Sequence, residues 1–230
     1  MLSRIKYIGL NPARLFVLSF LGLILIGTIL LLLPVSTTGS ISLIDALFTT
    51  TSAVCVTGLV ALDTSKDFTL FGQTVIMVMI QAGGLGILTF ASYFSYFFKG
   101  GSSYEDQLTM GNISNIEKID EIFKTLKRIL IITVGIEAVG AFFIFTSLSS
   151  ALMPGLSDRI YFSVFHSISA FCNAGFSTLP HGIMENGYVD NYRFQLSLIF
   201  LFVLGGLGFP IVINLLKYLK HLILSLIHIS

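Results

Sequence analysis

Apolar residues in this chain come in long uncharged runs rather than in short alternating ones. Leu15–Leu33, Leu70–Phe98 and Phe194–Leu216 contain no Asp, Glu, Lys or Arg, and Ile129–Met153 contains only Glu137. A bilayer crossing takes about 20 predominantly apolar residues, so this pattern predicts four crossings. Two further apolar runs, Leu43–Val54 and Ile160–Phe171, are 12 residues each. That length suits a core or re-entrant helix, not a crossing. Each runs on into a glycine, through Cys55-Val56-Thr57-Gly58 and Cys172-Asn173-Ala174-Gly175.

The pattern occurs twice. At a shift of 117, Phe48, Ser52, Ala53, Cys55 and Gly58 fall on Phe165, Ser169, Ala170, Cys172 and Gly175. Gly83-Gly84-Leu85-Gly86 falls on Gly205-Gly206-Leu207-Gly208 at a shift of 122, and Pro34 falls on Pro154 at 120. Fixed-order recurrence with a drifting offset is what loop insertions leave between internal repeats. The predicted fold is an all-α membrane protein of two tandem crossing–pore-helix–crossing repeats. It has four transmembrane helices plus two re-entrant pore helices.

A short helix that enters the membrane and returns as extended, glycine-containing backbone leaves carbonyls without helical partners. Irregular backbone at that depth survives only where it is buried in protein or lines a watery cavity, and its oxygens can replace the hydration shell of a cation. The helix C-terminus adds partial negative charge. Gly58 and Gly175 let the backbone turn, and Val56, Thr57 and Ala174 are small enough to leave an axis open. The competing reading is packing, since runs of small residues also mark close helix contacts in membranes. It is weakened by the recurrence of helix, Gly loop and GGLG segment in one order. The GGLG segments themselves admit both tight packing and a bendable inner helix.

Composition agrees with a membrane protein: 54% of residues are hydrophobic and 11% charged, against roughly 25% charged in soluble domains. The net charge of +1 gives no electrostatic footprint for nucleic acid, and none is expected as a partner. The distribution of charge is more informative. Arg4, Lys6, Arg14, Lys99, Lys118, Lys124, Lys127, Arg128, Lys217 and Lys220 fall in the head, middle loop and tail, leaving Lys66, Arg159 and Arg193 elsewhere. The positive-inside rule then places residues 1–14, 99–128 and the tail 217–223 in the cytoplasm and both Gly loops on the outer side. Repeat 1 occupies 15–98 and repeat 2 occupies 129–216. Residues 1–33 read as a membrane anchor rather than a signal peptide, because the apolar core is too long and no small-x-small site follows. In the middle loop, Ile116, Ile119, Ile122, Phe123 and Leu126 predict a short amphipathic helix over Ile113–Leu126. It would rest on the membrane interface or meet a partner.

TTTSAVCVTGLVALDT, FGQTVIMVMIQAGGLGILTF, SISAFCNAGFSTL and FVLGGLGF, with the preamble NPARLFVLSFLGLILIGTILLLLPVSTTGSISLIDALF, resemble the Trk/Ktr/HKT superfamily of potassium transporters. Within it the likeness is to the Ktr-type membrane subunit, over roughly residues 10–223. The resemblance implies potassium uptake across the plasma membrane, with the ion held by backbone carbonyls of Val56, Thr57, Gly58, Asn173, Ala174 and Gly175. It further implies four repeats around one pathway, a homodimer of full-length subunits, a cytosolic nucleotide-binding regulatory ring, and frequent coupling to or stimulation by sodium. No covalently bound cofactor is expected. Only two repeats are present here. Leu224–Ser230 (LSLIHIS) departs from the pattern and looks like the translation of a transposon-derived sequencing adapter end. On that expectation the cellular polypeptide is longer. Two other readings are a two-pore-loop potassium channel subunit that dimerises to complete its pore, and a non-transporting membrane scaffold. The scaffold leaves the matched Gly loops unexplained. HExxH, GxSxG and P-loop motifs are absent, so no enzyme is expected.

Several single residues invite function. Glu137, inside a crossing, is either paired within the bundle or has an ion or gating role. Gln81 and Asn214 also lie in crossings, where interhelical hydrogen bonding is the default. Cys55 and Cys172 lack metal-site spacing and read as small packers. His166 is expected to be buried and hydrogen-bonded. Asp63 and Asp67 either serve a solvated loop or attract cations to the first loop.

Overall fold

The computed structural model describes residues 12–99, 115–150, 152–209, 211–215 and 218. Residues 1–11 of the head, residues 100–114 of the charged middle loop, most of 217–223 and all of 224–230 therefore lie outside the described residues. Those described include six α-helices of twelve or more residues and one 3-10 turn, with no strand among them. The helices are α1 (Pro12–Leu31), α2 (Leu43–Val54), α3 (Leu70–Lys99), α4 (Asn115–Ser147), α5 (Leu156–Phe171) and α6 (Tyr192–Gly206); the turn is Gly182–Met184.

The order long–short–long occurs twice. Within each half all three helices pack on one another, and between halves α3 reaches across to α4 and α5. Two apolar clusters follow this division. One joins Leu31, Ala53, Val54, Ile76 and Ile80 and draws in Phe165, Ala174 and Phe176 from the second half. The other joins Ile144, Phe162, Phe171, Phe194 and Leu201. Outward faces are apolar too: Val17, Ile29, Phe142 and Phe200 are all more than 60% exposed. Such surfaces suit hydrocarbon rather than water.

α2 starts where its sequence dictates. Ser42 Oγ accepts from Asp45 N–H at 3.1 Å and Asp45 Oδ2 accepts from Ser42 N–H at 3.3 Å, a reciprocal capping box. α5 begins at Leu156, one turn earlier than the apolar run, because Pro154-Gly155 ends the preceding segment and Gly155 takes the N-cap. The short helices are held by hydroxyls and glycines of the long ones. Gly27 of α1 lies against Thr50, and Gly140 of α4 against the Ser167 hydroxyl, residues 117 apart on the two short helices. Thr28 Oγ1 meets Thr50 Oγ1 at 2.8 Å, and Ser167 Oγ–H donates to Glu137 O at 2.7 Å.

Two boundaries differ from expectation. No break separates an amphipathic helix from the crossing after residue 128: α4 is one 33-residue helix. At 1.5 Å per residue it is about 50 Å long, well beyond a hydrocarbon core of about 30 Å. The run from Phe194 breaks at Leu207-Gly208, where Gly208 takes φ +78°, and helix resumes at 211–215. Leu70–Thr89 and Leu126–Ser147 are long and apolar enough to span by themselves, whereas Phe16–Leu31 and Tyr192–Gly206 are shorter.

Candidate functional site: two matched glycine loops

Both short helices end in the same way. Val56 N–H donates to Ala53 O (3.2 Å) and Thr57 N–H to Ser52 O (2.9 Å); Asn173 N–H donates to Ala170 O (2.9 Å) and Ala174 N–H to Ser169 O (2.8 Å). This pair of bonds, with a left-handed residue after the C-cap, is the Schellman closure. The left-handed residues are Val56 (φ 55°) and Asn173 (φ 61°). Asn tolerates that region, but a β-branched Val there is a real outlier. Two residues on, Gly58 (φ 73°) and Gly175 (φ 72°) are left-handed again, and Thr57 and Ala174 between them are not. Backbone that alternates handedness turns successive N–H groups to one side and successive carbonyls to the other. The Schellman bonds occupy the carbonyls of residues 52, 53, 169 and 170, leaving later ones free for other use.

The loops meet. A Cβ placed on Gly58 would stand 2.5 Å from Ala174 O, and one on Gly175 would stand 3.7 Å from Gly58 Cα. The structure thus brings Gly58, Ala174 and Gly175 together from halves 117 residues apart. Ala174 is buried in this contact, whereas Thr57, Asn173 and Gly175 are exposed. No basic residue occupies the last turn of either short helix, so the partial negative charge of each C-terminus reaches its loop uncancelled.

Supporting contacts hold the loops from behind. Thr57 Oγ1 and Ser52 Oγ are 3.0 Å apart. Ser169 Oγ–H donates to Phe176 O at 2.7 Å. His166 is buried and bonded at both ring nitrogens, to Phe162 O (2.9 Å) and Ser177 Oγ (3.0 Å). The carbonyl can only accept, so Nδ1 carries a proton, and in the neutral ring Nε2 takes the Ser177 hydroxyl as donor.

The GGLG glycines are contact points. A side chain at Gly83 would collide with Val54 O, and one at Gly205 with Phe171 O, the equivalent carbonyl. Gly84 faces Cys172 Sγ at 2.6 Å from its notional Cβ. Both cysteines are free, and no cluster of three metal-binding side chains occurs among the described residues. The Asn173 amide, oriented to satisfy both its atoms, donates to Phe202 O (3.3 Å) and accepts from Gly206 N–H (3.2 Å). Those two groups are helical i, i−4 partners in the last turn of α6, so the amide touches the ladder just before the break while α6 stays helical through Gly206. Inserted side chains are a recognised cause of kinks. Val56 has no such group, and α3 runs straight through its own GGLG.

Asp63 and Asp67 serve their turn. Asp63 Oδ1 accepts from Ser65 N–H and Oγ–H, Asp67 Oδ2 accepts from Asp63 N–H, and Lys66 lies 3.4 Å from Asp63 Oδ2. Burial works against ionisation of Asp63, but the Ser65 hydrogen bonds and the Lys66 ammonium outweigh it and hold the carboxyl below its ordinary range. Asn214 is exposed. Glu137 and Gln81 lie away from the loop tips, where α3, α4 and α5 meet. Sequence reasoning missed the Asn173 amide contact and the Schellman bonds; the recurring Ser-Ala pair was the visible trace of the latter.

Long helices with extended uncharged stretches and apolar outer faces are those of a membrane protein. The chain belongs to the TrkH family, described as "Cation transport protein", whose model matches residues 13–228. It is 39% identical over 215 residues to Ktr system potassium uptake protein B of Bacillus subtilis (strain 168), covering 93% of this chain and 47% of that protein. It is 37% identical over 210 residues to the protein of the same name from Vibrio alginolyticus (91% and 45%). It is also 37% identical over 213 residues to the potassium/sodium uptake protein NtpJ of Enterococcus hirae (91% and 46%). The chain spans a little under half the length of each of these relatives.

Proposed function

We propose that this chain is part of the ion-translocating subunit of a potassium uptake system, and that its two Gly loops form part of a cation path. In this reading α2 and α5 are re-entrant pore helices and α1, α3, α4 and α6 are crossings. The carbonyls of Val56, Thr57, Gly58, Asn173, Ala174 and Gly175 face the ion. Orientation follows from charge: Lys and Arg concentrate at the head, middle loop and tail, so the loops open outward. Two loops cannot encircle an ion. The path is completed by further loops of the same kind, consistent with relatives about twice as long. The full subunit dimerises and is controlled by a cytosolic nucleotide-binding ring, with sodium as a coupling or stimulating ion.

One observation carries this reading: two loops distant in sequence share one backbone path, residue by residue, and touch at their glycines. Packing alone requires close approach but not identical alternation of handedness. The test is expression of the polypeptide from its natural reading frame in cells lacking potassium uptake. Growth at low potassium and saturable rubidium uptake are expected, with Gly58→Ser weakening discrimination against sodium. Unchanged discrimination in that variant refutes the loop assignment.

A further inference from the structure

Among the residues whose burial is described, Glu137 is the only Asp, Glu, Lys or Arg that is buried, at 6% exposure. It sits at the junction of three helices. Its backbone oxygen accepts the Ser167 hydroxyl of α5 at 2.7 Å. The Gln81 side chain of α3 lies beside its carboxyl. Cys172, the C-cap of α5 and the residue before Asn173, lies close to it as well. Glu137 Oε1, Gln81 Oε1 and Gln81 Nε2 are inaccessible to solvent and have no hydrogen-bond partner within the chain. The ion pair found among the described residues, Lys66–Asp63, is elsewhere.

The pair is not part of the repeated scaffold. Gly27 and Gly140 occupy matching places on α1 and α4, which puts Ile24 opposite Glu137. The offset of the GGLG segments puts Val203 opposite Gln81. Two apolar positions in one setting are polar in the other, and the polar ones come together where the halves join.

An ionised carboxylate there, without a counter-charge, would cost several kcal/mol. The unmet groups comprise one donor and two acceptors. A cation would serve both oxygens but leave the amide N–H unmet. A water molecule, which both donates and accepts, serves all three.

We propose that Glu137 is carried as the neutral acid and, with Gln81, holds a water molecule behind the second loop, making both positioning residues for Asn173–Gly175. The route runs through Cys172 at the end of α5, beside the carboxyl; Ser167 bonds the Glu137 backbone and holds α5 in place whatever the side chain. The proposal rests on the reading of that loop as part of a cation path.

The test uses the full polypeptide in cells lacking potassium uptake. E137Q keeps shape and neutrality and should stay within about twofold of wild type in rubidium uptake and in discrimination against sodium. E137A and Gln81→Leu should each lose roughly tenfold in discrimination, the scale set by one unsatisfied buried polar group. Infrared spectra of the membrane-embedded protein should contain a protonated-carboxyl C=O band that E137Q lacks, a readout that does not depend on transport. The proposal is overturned if E137Q loses as much as E137A, if that band is missing from wild type, or if E137A discriminates normally while Gly58→Ala does not. Normal discrimination in both E137A and Gly58→Ala overturns the loop reading beneath it.

Discussion

Gly58 and Gly175 occupy equivalent positions, yet their replacement by alanine should have unequal effects. Both have φ near +72°, so each alanine accepts left-handed strain of about 1–2 kcal/mol. The surroundings differ. The new Cβ at position 58 stands 2.5 Å from Ala174 O and 3.4 Å from Ala174 C, both backbone atoms. Relief requires one loop to withdraw from the other, an overpacking cost of about 1–3 kcal/mol. The new Cβ at position 175 meets Gly58 Cα at 3.7 Å, an ordinary contact. Gly58→Ala should therefore exceed Gly175→Ala by about 1–3 kcal/mol, roughly 5- to 150-fold in an equilibrium or rate governed by the loop. Rubidium uptake with sodium competition, measured on the full polypeptide, reads this difference. Melting of the detergent-solubilised protein separates a loop effect from global unfolding. Equal damage, or greater damage from Gly175→Ala, refutes the contact argument.

Four other outcomes follow from the same geometry. Val56→Gly should raise the melting temperature by relieving about 1 kcal/mol of left-handed strain, with a smaller gain from the cap geometry in Asn173→Gly because Asn tolerates that region. Gly83→Ala and Gly205→Ala should both prevent normal assembly, whereas Gly135→Ala, with no atom within 4 Å of its notional Cβ, should leave expression and melting unchanged. His166→Ala should cost about 2–5 kcal/mol on the scale of a large buried side chain, and His166→Asn should recover part of it if the link to Ser177 matters; melting curves decide. The Asp63 carboxyl lies below its ordinary range, so it binds a proton more readily unfolded than folded. Its contribution is fully present above about pH 4 and is lost as pH falls through the folded value. Asp63→Asn should flatten that acid limb of the stability profile.

Much of this architecture is visible in the amino acids because membrane burial forces it. Long uncharged runs become long helices, and the Leu43–Val54 helix coincides with its apolar run because Ser42 and Asp45 cap it. The positive φ angles of Gly58 and Gly175 fall on the glycines that sequence recurrence singled out. What escaped detection was decided elsewhere. The boundary after residue 128 was placed where charge gives way to apolar residues, but nothing between Asn115 and Ile129 breaks a helix. Hydropathy marks the membrane, not the end of α4. The break at Gly208 was invisible because GGLG occurs in both halves and bends only one. The Asn173 amide contact accompanies the half that bends, and that contact has no local signature. Gln81 and Glu137, 56 positions apart, are likewise joined only by packing.

The Asn173 amide has a mechanical consequence. One side chain belongs to the second Gly loop through its backbone and to α6 through Phe202 and Gly206. The second loop and the end of α6 beside Gly208 are thus mechanically joined through one amide. The first half, with valine at the corresponding place, has no such crank. The tether between loop and helix end is therefore lopsided, present in the second half and without a counterpart at Val56.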